Sequence, residues 1–183
     1  MLIDHWACLC VSAVNLDLKE GHKKPMTIRP LDPKDRMSVL SILRKTEAFT
    51  SQEIDVALEL VDIALKDPHQ RDYQIYCRVD DRDQPIGYIC YGPASMTQGT
   101  FDLYWIAVDP EFQKHGVGAG LLGFIEEKVR DGGGRLILAD TSSIPAYEGT
   151  HRFYRHTGFK EVARVPDYYD QGNDRITFCK RLV

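Results

Sequence analysis

Residues 113–120, QKHGVGAG, lie between an apolar run ending at Val108 and a segment of helical apolar spacing that begins near Leu121. Glycine at Gly116, Gly118 and Gly120 removes side chains where backbone must come close to a ligand. A helix that starts there points its unpaired N–H groups at whatever fills the turn. The natural occupant is an anion, so the stretch reads as a pyrophosphate cradle.

Two familiar phosphate loops fit less well. The Walker loop needs a Gly-Lys-Ser/Thr ending, which does not occur here. The dinucleotide fingerprint G-x-G-x-x-G accepts Gly116 and Gly118, and Asp140 closes the next apolar run at about 20 residues downstream. Its third glycine, however, is Leu121, and DPEFQKH separates the strand from the first glycine.

In the longer frame, DLYWIAVDPEFQKHGVGAGLL (residues 102–122) resembles motif A of the GCN5-related N-acetyltransferase (GNAT) superfamily. In that motif a strand, an acidic-proline turn and Q/R-x-x-G-x-G/A bind the pyrophosphate of acetyl-CoA. HRFYRHTGFKEV (residues 151–162) resembles motif B, a short helix with a tyrosine that ends in Gly-Phe before a strand. Together the motifs cover roughly Gly99 to Val165, and flanking strands extend the similarity over 26–183. The resemblance implies an α/β fold: a central mixed, mostly antiparallel sheet, helices on both faces, and a β-α-β core that binds acetyl-CoA. It also implies transfer of the acetyl group to a primary amine by direct attack within a ternary complex. A small amine, an amino acid and a peptide N-terminus all remain open as acceptor, and a non-catalytic acetyl-CoA sensor is the alternative reading.

The chain's 183 residues, 43% hydrophobic and 27% charged, suit one globular domain. Asp and Glu total 27 against 23 Lys and Arg, and a net charge of -4 offers no general attraction for nucleic acid or an anionic membrane. The five cysteines Cys8, Cys10, Cys77, Cys90 and Cys179 lack zinc-type pairs and read as reduced thiols. His5, Cys8 and Cys10 match no standard metal spacing, and no metal site is expected. The stretch HWACLCVSAV is too short for a membrane span and lacks the basic lead of a signal peptide. A cytoplasmic protein is expected, with residues 1–25 an extension of uncertain role, a domain over 26–183, and a homodimer left open.

Periodicity places a strand at 26–31, a helix from the Asp32-Pro33 start to about Arg44, and a second helix capped by Thr50 or Ser51 and stopped by Pro68. Tyr73–Val79 and Pro85–Tyr91 form a hairpin around Asp80, Asp81 and Asp83, followed by a strand over Thr100–Val108. A helix from Gly118 to about Arg130 ends at the DGGG turn, and the strand 135–140 completes a crossover. A loop, a short helix at Arg152–His156 and strands near Phe159–Val165 and Arg175–Leu182 close the chain.

Acetyl transfer needs a held thioester, a deprotonated amine and a protonated leaving thiolate. The diphosphate is expected on the amides of Gln113, Lys114, His115, Gly116, Val117, Gly118 and Ala119. The resemblance assigns Ile106, Ala107 and Val108 to backbone contacts with the pantetheine arm, and Tyr154 to protonation of the CoA sulfur. Three carboxylates compete as base: Asp102, expected on one strand face with Tyr104 and Ile106; Asp140, at the end of the next strand; and Glu148, in the loop before motif B. Ser142 and Ser143 either bind a substrate or cap their loop. PDYYDQGNDRITFCKRL resembles the ending of members that modify protein N-termini. Tyr168, Tyr169 and Asp170 either line an acceptor pocket, with Tyr104 and Ser142 beside them, or form a hairpin tip.

Overall fold

The computed structural model describes residues 27–182. The extension at 1–25 and its His5, Cys8 and Cys10 lie outside the described residues. The apolar run from Pro85 forms β3 (Pro85–Pro93), which is buried through Gly92 and therefore sits mid-sheet with both faces covered. β2 (Gln74–Val79) pairs with it antiparallel, joined by a turn in which the Asp80 carboxylate accepts the amides of Arg82 and Gln84. With β1 (Thr27–Pro30), β4 (Thr100–Val108), β5 (Leu136–Ser142), β6 (Lys160–Asp170) and β7 (Asn173–Arg181), the sheet runs in the order β1-β2-β3-β4-β5-β7-β6. Only β4 and β5 pair in parallel, across the crossover formed by α3 (Val117–Asp131).

Helices α1 (Arg36–Lys45) and α2 (Ser51–Lys66) cover one face of the sheet, burying Val39, Ile42, Leu43, Ala57 and Val61 against Cys77, Tyr88, Cys90 and Ala107. α2 starts at a capping box in which Thr50 and Glu53 exchange bonds with each other's backbone N–H. On the other face α3 and α4 (Glu148–His156) bury Leu121, Leu122, Ile125 and Tyr154 against Ile89, Leu103, Ile137 and Phe178. Among the described residues no helix is long and apolar enough to cross a membrane.

Three details differ from the pattern expected of the sequence. β5 continues two residues past Asp140 because β7 keeps pairing with it to Ser142↔Arg175. α4 begins at Glu148, so this carboxylate stands on an exposed first turn beside Arg152 and not in a loop. Ile106 leaves the face of Asp102 and Tyr104: β3 pairs Tyr91 with Leu103 and Cys90 with Trp105, which makes Tyr104 the extra residue of a β-bulge. Tyr104 and Trp105 consequently both turn to the α1/α2 face, while Ile106 packs toward α3.

The most consequential feature is the short β4–β5 contact. Its rungs are Thr100↔Leu136, Phe101↔Ile137 and Asp102↔Leu138, and none follows. β4 stays with β3 as far as Val108, and β5 stays with β7 as far as Ser142. A wedge therefore opens between them, widening toward the start of α3.

Candidate active site

At the mouth of the wedge, Asp109 and Pro110 start a turn of 3-10 helix; the Asp109 carboxylate accepts the Glu111 amide and pairs with Lys45 at 2.8 Å. The chain then reverses through Lys114 and Gly116, both left-handed at φ 63° and 77°. A Cβ at Gly116 would meet nothing within 4 Å, so backbone angle and not space favours glycine there. Gln113 N–H donates to Pro110 O and Gly120 N–H to Gly116 O. Among the described residues the amides between them, from Lys114 to Ala119, donate to no other group. That run of donors at the positive end of a 15-residue helix is a built anion seat.

The other two glycines serve different ends. A Cβ on Gly118 would lie 3.4 Å from the Phe153 ring and 3.6 Å from Val108, in the gap between α4 and β4. At Gly120 it would stand 2.0 Å from Arg78 Nη1, so this glycine makes room for a guanidinium of the chain itself.

Along the wedge, Ile106, Ala107 and Val108 pair with Ile89, Tyr88 and Gly87 on one side and have no ladder partner on the β5 side. Gln113 turns its carboxamide back to the Val108 carbonyl at 3.2 Å, which ties the loop to the strand end. Apart from that Val108 carbonyl, the edge is free to bond an extended amide-bearing chain.

Tyr154 lies on α4, 5% exposed, packed among Phe153, Phe159 and Phe178. Among the described residues its hydroxyl has no hydrogen-bond partner. Burial, and then the charge of Asp140, push its ionisation well up, so the phenol keeps its proton at neutral pH. Asp140 accepts from Thr177 Oγ1 and lies 3.7 Å from Arg175 Nη1. Asp102, opposite Leu138 and on the same face as Asp140, is raised by burial and then by the Asp140 charge. A raised carboxyl favours the protonated folded form, so its contribution declines as pH rises from the unfolded toward the folded value. Asp102→Asn should therefore be more stable than the wild type at neutral pH and equal to it in acid. Denaturant titrations at several pH values check this, and an identical pH dependence in both proteins would refute it.

On the α1/α2 face Tyr104 stacks edgewise on Tyr73 at 5.3 Å, and burial, followed by Asp102, raises its phenol to about 12. Tyr169 is raised by burial and then by Asp140, with Glu53 also acting on it, so it stands in the field of both carboxylates. Tyr168 is stacked under Arg175 at 4.3 Å and forms a T with Tyr169. Asp170 ends β6, and its carboxylate caps the Gln171 amide at the hairpin tip. Ser142 is buried: it donates to Asn173 Oδ1 at 2.6 Å and accepts the Ile144 amide, so its hydroxyl is occupied by the loop. Ser143 Oγ accepts the Asp174 amide.

Glu53, Tyr147, Phe49 and Trp105 form a cluster beside β4 that sequence reasoning did not single out. The Tyr147 hydroxyl donates to Glu53 Oε1 at 2.7 Å, and its ring meets Phe49, which in turn meets Trp105. In sequence, Glu53 is explained by its capping box and the aromatics by core packing, so nothing singles them out. Among the described residues no cluster of three or more His, Cys, Asp or Glu side chains could hold a metal ion.

Residues 71–161, which contain the wedge, the cradle and α4, match the family model described as an acetyltransferase (GNAT) domain. A crystal structure from Desulfovibrio desulfuricans, assigned to the GNAT family as an acetyltransferase, is 40% identical, with a TM-score of 0.81 over 86% of this chain and 99% of that one. An aminoglycoside 6'-N-acetyltransferase in complex with coenzyme A (19% identity, TM-score 0.67, covering 86% and 98%) shares the fold. So does the ribosomal-protein-S18-alanine N-acetyltransferase of Escherichia coli (19%, 0.67, 85% and 93%). No curated protein matches the sequence. With a splayed strand pair ending in an amide-lined glycine turn, and a relative at 40% identity over nearly the whole domain, the chain belongs to the GNAT family of acetyl-CoA-dependent acetyltransferases.

Proposed function

We propose that this chain acetylates a primary amine, the amine attacking directly while both substrates are bound. One observation carries the reading: the free amides from Lys114 to Ala119 stand at the open end of the β4–β5 wedge, and a buried, protonated phenol, Tyr154, lies close enough to Asp140 to feel its charge. Acetyl-CoA supplies the activated acyl group. The cradle binds the diphosphate, and the open edge of Ile106–Val108 holds the pantetheine arm in register. As the new C–N bond forms and the C–S bond breaks, Tyr154 gives its proton to the departing sulfur.

The amine proton goes to a carboxylate, directly or through water. Asp102 is the better base, because burial has already raised its affinity for a proton, while Asp140 is held by Thr177. An amine acceptor accords with the two related structures, one an N-acetyltransferase of aminoglycosides and the other of a ribosomal-protein-S18 alanine. A cytoplasmic setting accords with free Cys77, Cys90 and Cys179. The test is to incubate the purified protein with acetyl-CoA and a panel of amines and to follow free thiol. Amine-dependent release supports the transferase; tight CoA binding with no amine-dependent thiol would make the chain a sensor.

A further inference from the structure

The Tyr147–Glu53 hydrogen bond joins residues 94 apart in sequence, tying the N-terminus of α2 to the loop between β5 and α4. It joins a helix of the α1/α2 face to the chain that leaves β5 for α4. Glu53 is fixed three ways: Oε2 accepts from the Thr50 amide and hydroxyl, and Oε1 accepts from Tyr147. A carboxylate accepts about four hydrogen bonds, so one site on Oε1 is still open. Glu53 is only partly buried, and water and solutes reach it.

Around it stand the Tyr147 and Phe49 rings, with Trp105 behind, whose indole nitrogen is buried without a partner. The Tyr147, Phe49 and Trp105 rings run in contact from Glu53 to β4, where Trp105 directly precedes Ile106 of the wedge, so Glu53 is tied to the proposed reaction centre and not to a remote surface. A fixed carboxylate with one free acceptor site and aromatic flanks is the chemistry that receives an alkylammonium ion.

We infer that Glu53, held in place by Tyr147, is the acceptor-binding carboxylate of this enzyme: it pairs with the ammonium form of the incoming amine and guides it to the wedge. The inference rests on the acetyl-transfer reading above. It also selects among acceptors, favouring a cationic amine next to an apolar or aromatic group over a neutral or anionic one.

The capping box makes a clean test available, because Gln fills its acidic position as well as Glu. Glu53→Gln therefore keeps the helix cap through its one carbonyl oxygen and removes the charge, while its NH2 group faces Tyr147, whose hydroxyl can turn to accept it. With benzylamine, putrescine and an alanine-initiated tetrapeptide as probes, the amine KM should rise roughly ten- to a hundredfold, the range of a lost charge-assisted bond. The melting temperature and the acetyl-CoA KM should hold, and kcat at saturating amine should change little. Raising salt should weaken wild-type amine capture and leave Glu53→Gln nearly unaffected. Tyr147→Phe should shift the amine KM in the same direction by less, since the charge stays but loses its holder. An unchanged amine KM in an active Glu53→Gln enzyme overturns the inference alone. Wild-type protein that releases no thiol with any of the probes overturns both it and the transferase reading.

Discussion

Tyr154→Phe should lower amine-dependent thiol release by between about a hundredfold and ten-thousandfold, the range that a positioned proton donor contributes. Coenzyme A affinity and melting temperature should stay near wild type. The physical reason lies in the packing: the ring sits in an aromatic cluster with Phe153, Phe159 and Phe178 that phenylalanine fills equally well. The lost hydroxyl breaks no bond among the described residues, so no buried partner is orphaned. Burial and the Asp140 charge keep the wild-type phenol protonated across the neutral range, so its donor role should show no titration of its own there. A single-turnover measurement of thiol release checks the step directly. A Tyr154→Phe enzyme with wild-type rates would reduce Tyr154 to a packing residue and leave the sulfur to be protonated by solvent.

Of the backbone parts of the candidate site, the glycine turn was legible in the residues, whereas the open edge of Ile106–Val108 came only with the family resemblance. Glycines at Gly116 and Gly118 announce an amide-lined turn because a bare backbone has no other signature, and the apolar runs on either side fix the crossover. Side chains that already have an ordinary structural explanation were not legible as candidates. Glu53 reads as half of a capping box, which it also is, and Tyr147 follows a proline as a packing aromatic would. The bulge at Tyr104 has no composition of its own: it is set by how β3 and β4 meet, and it moves Ile106 to the face opposite Asp102. Asp140 closes an apolar run in sequence, but β7 reaches past it and carries the strand on to Ser142. The division is physical, since a left-handed turn selects glycine, whereas an open strand edge or a partnered side chain acquires its role only from neighbours far along the chain.

Gly118→Val should cost about a hundredfold in coenzyme A affinity, near 2.8 kcal/mol, with little change in fold stability. A Cβ at this position falls at ordinary contact distance from Phe153 and Val108, so the first carbon is tolerated. The two methyls beyond it have only the gap between α4 and β4 to occupy, and that gap is where the proposed pantetheine arm passes from the wedge to the cradle. Replacing a helical glycine also removes its excess conformational freedom, which offsets part of any crowding. Gly123, further along α3 with nothing within 4 Å of its would-be Cβ, supplies the matched control. Gly123→Ala should gain about 0.5–1 kcal/mol of stability and leave coenzyme A binding alone. Calorimetric titration of coenzyme A, paired with thermal melts of both variants, separates the effects. If Gly118→Val binds coenzyme A as the wild type does, the carrier does not pass between Phe153 and Val108, and the wedge is not its channel.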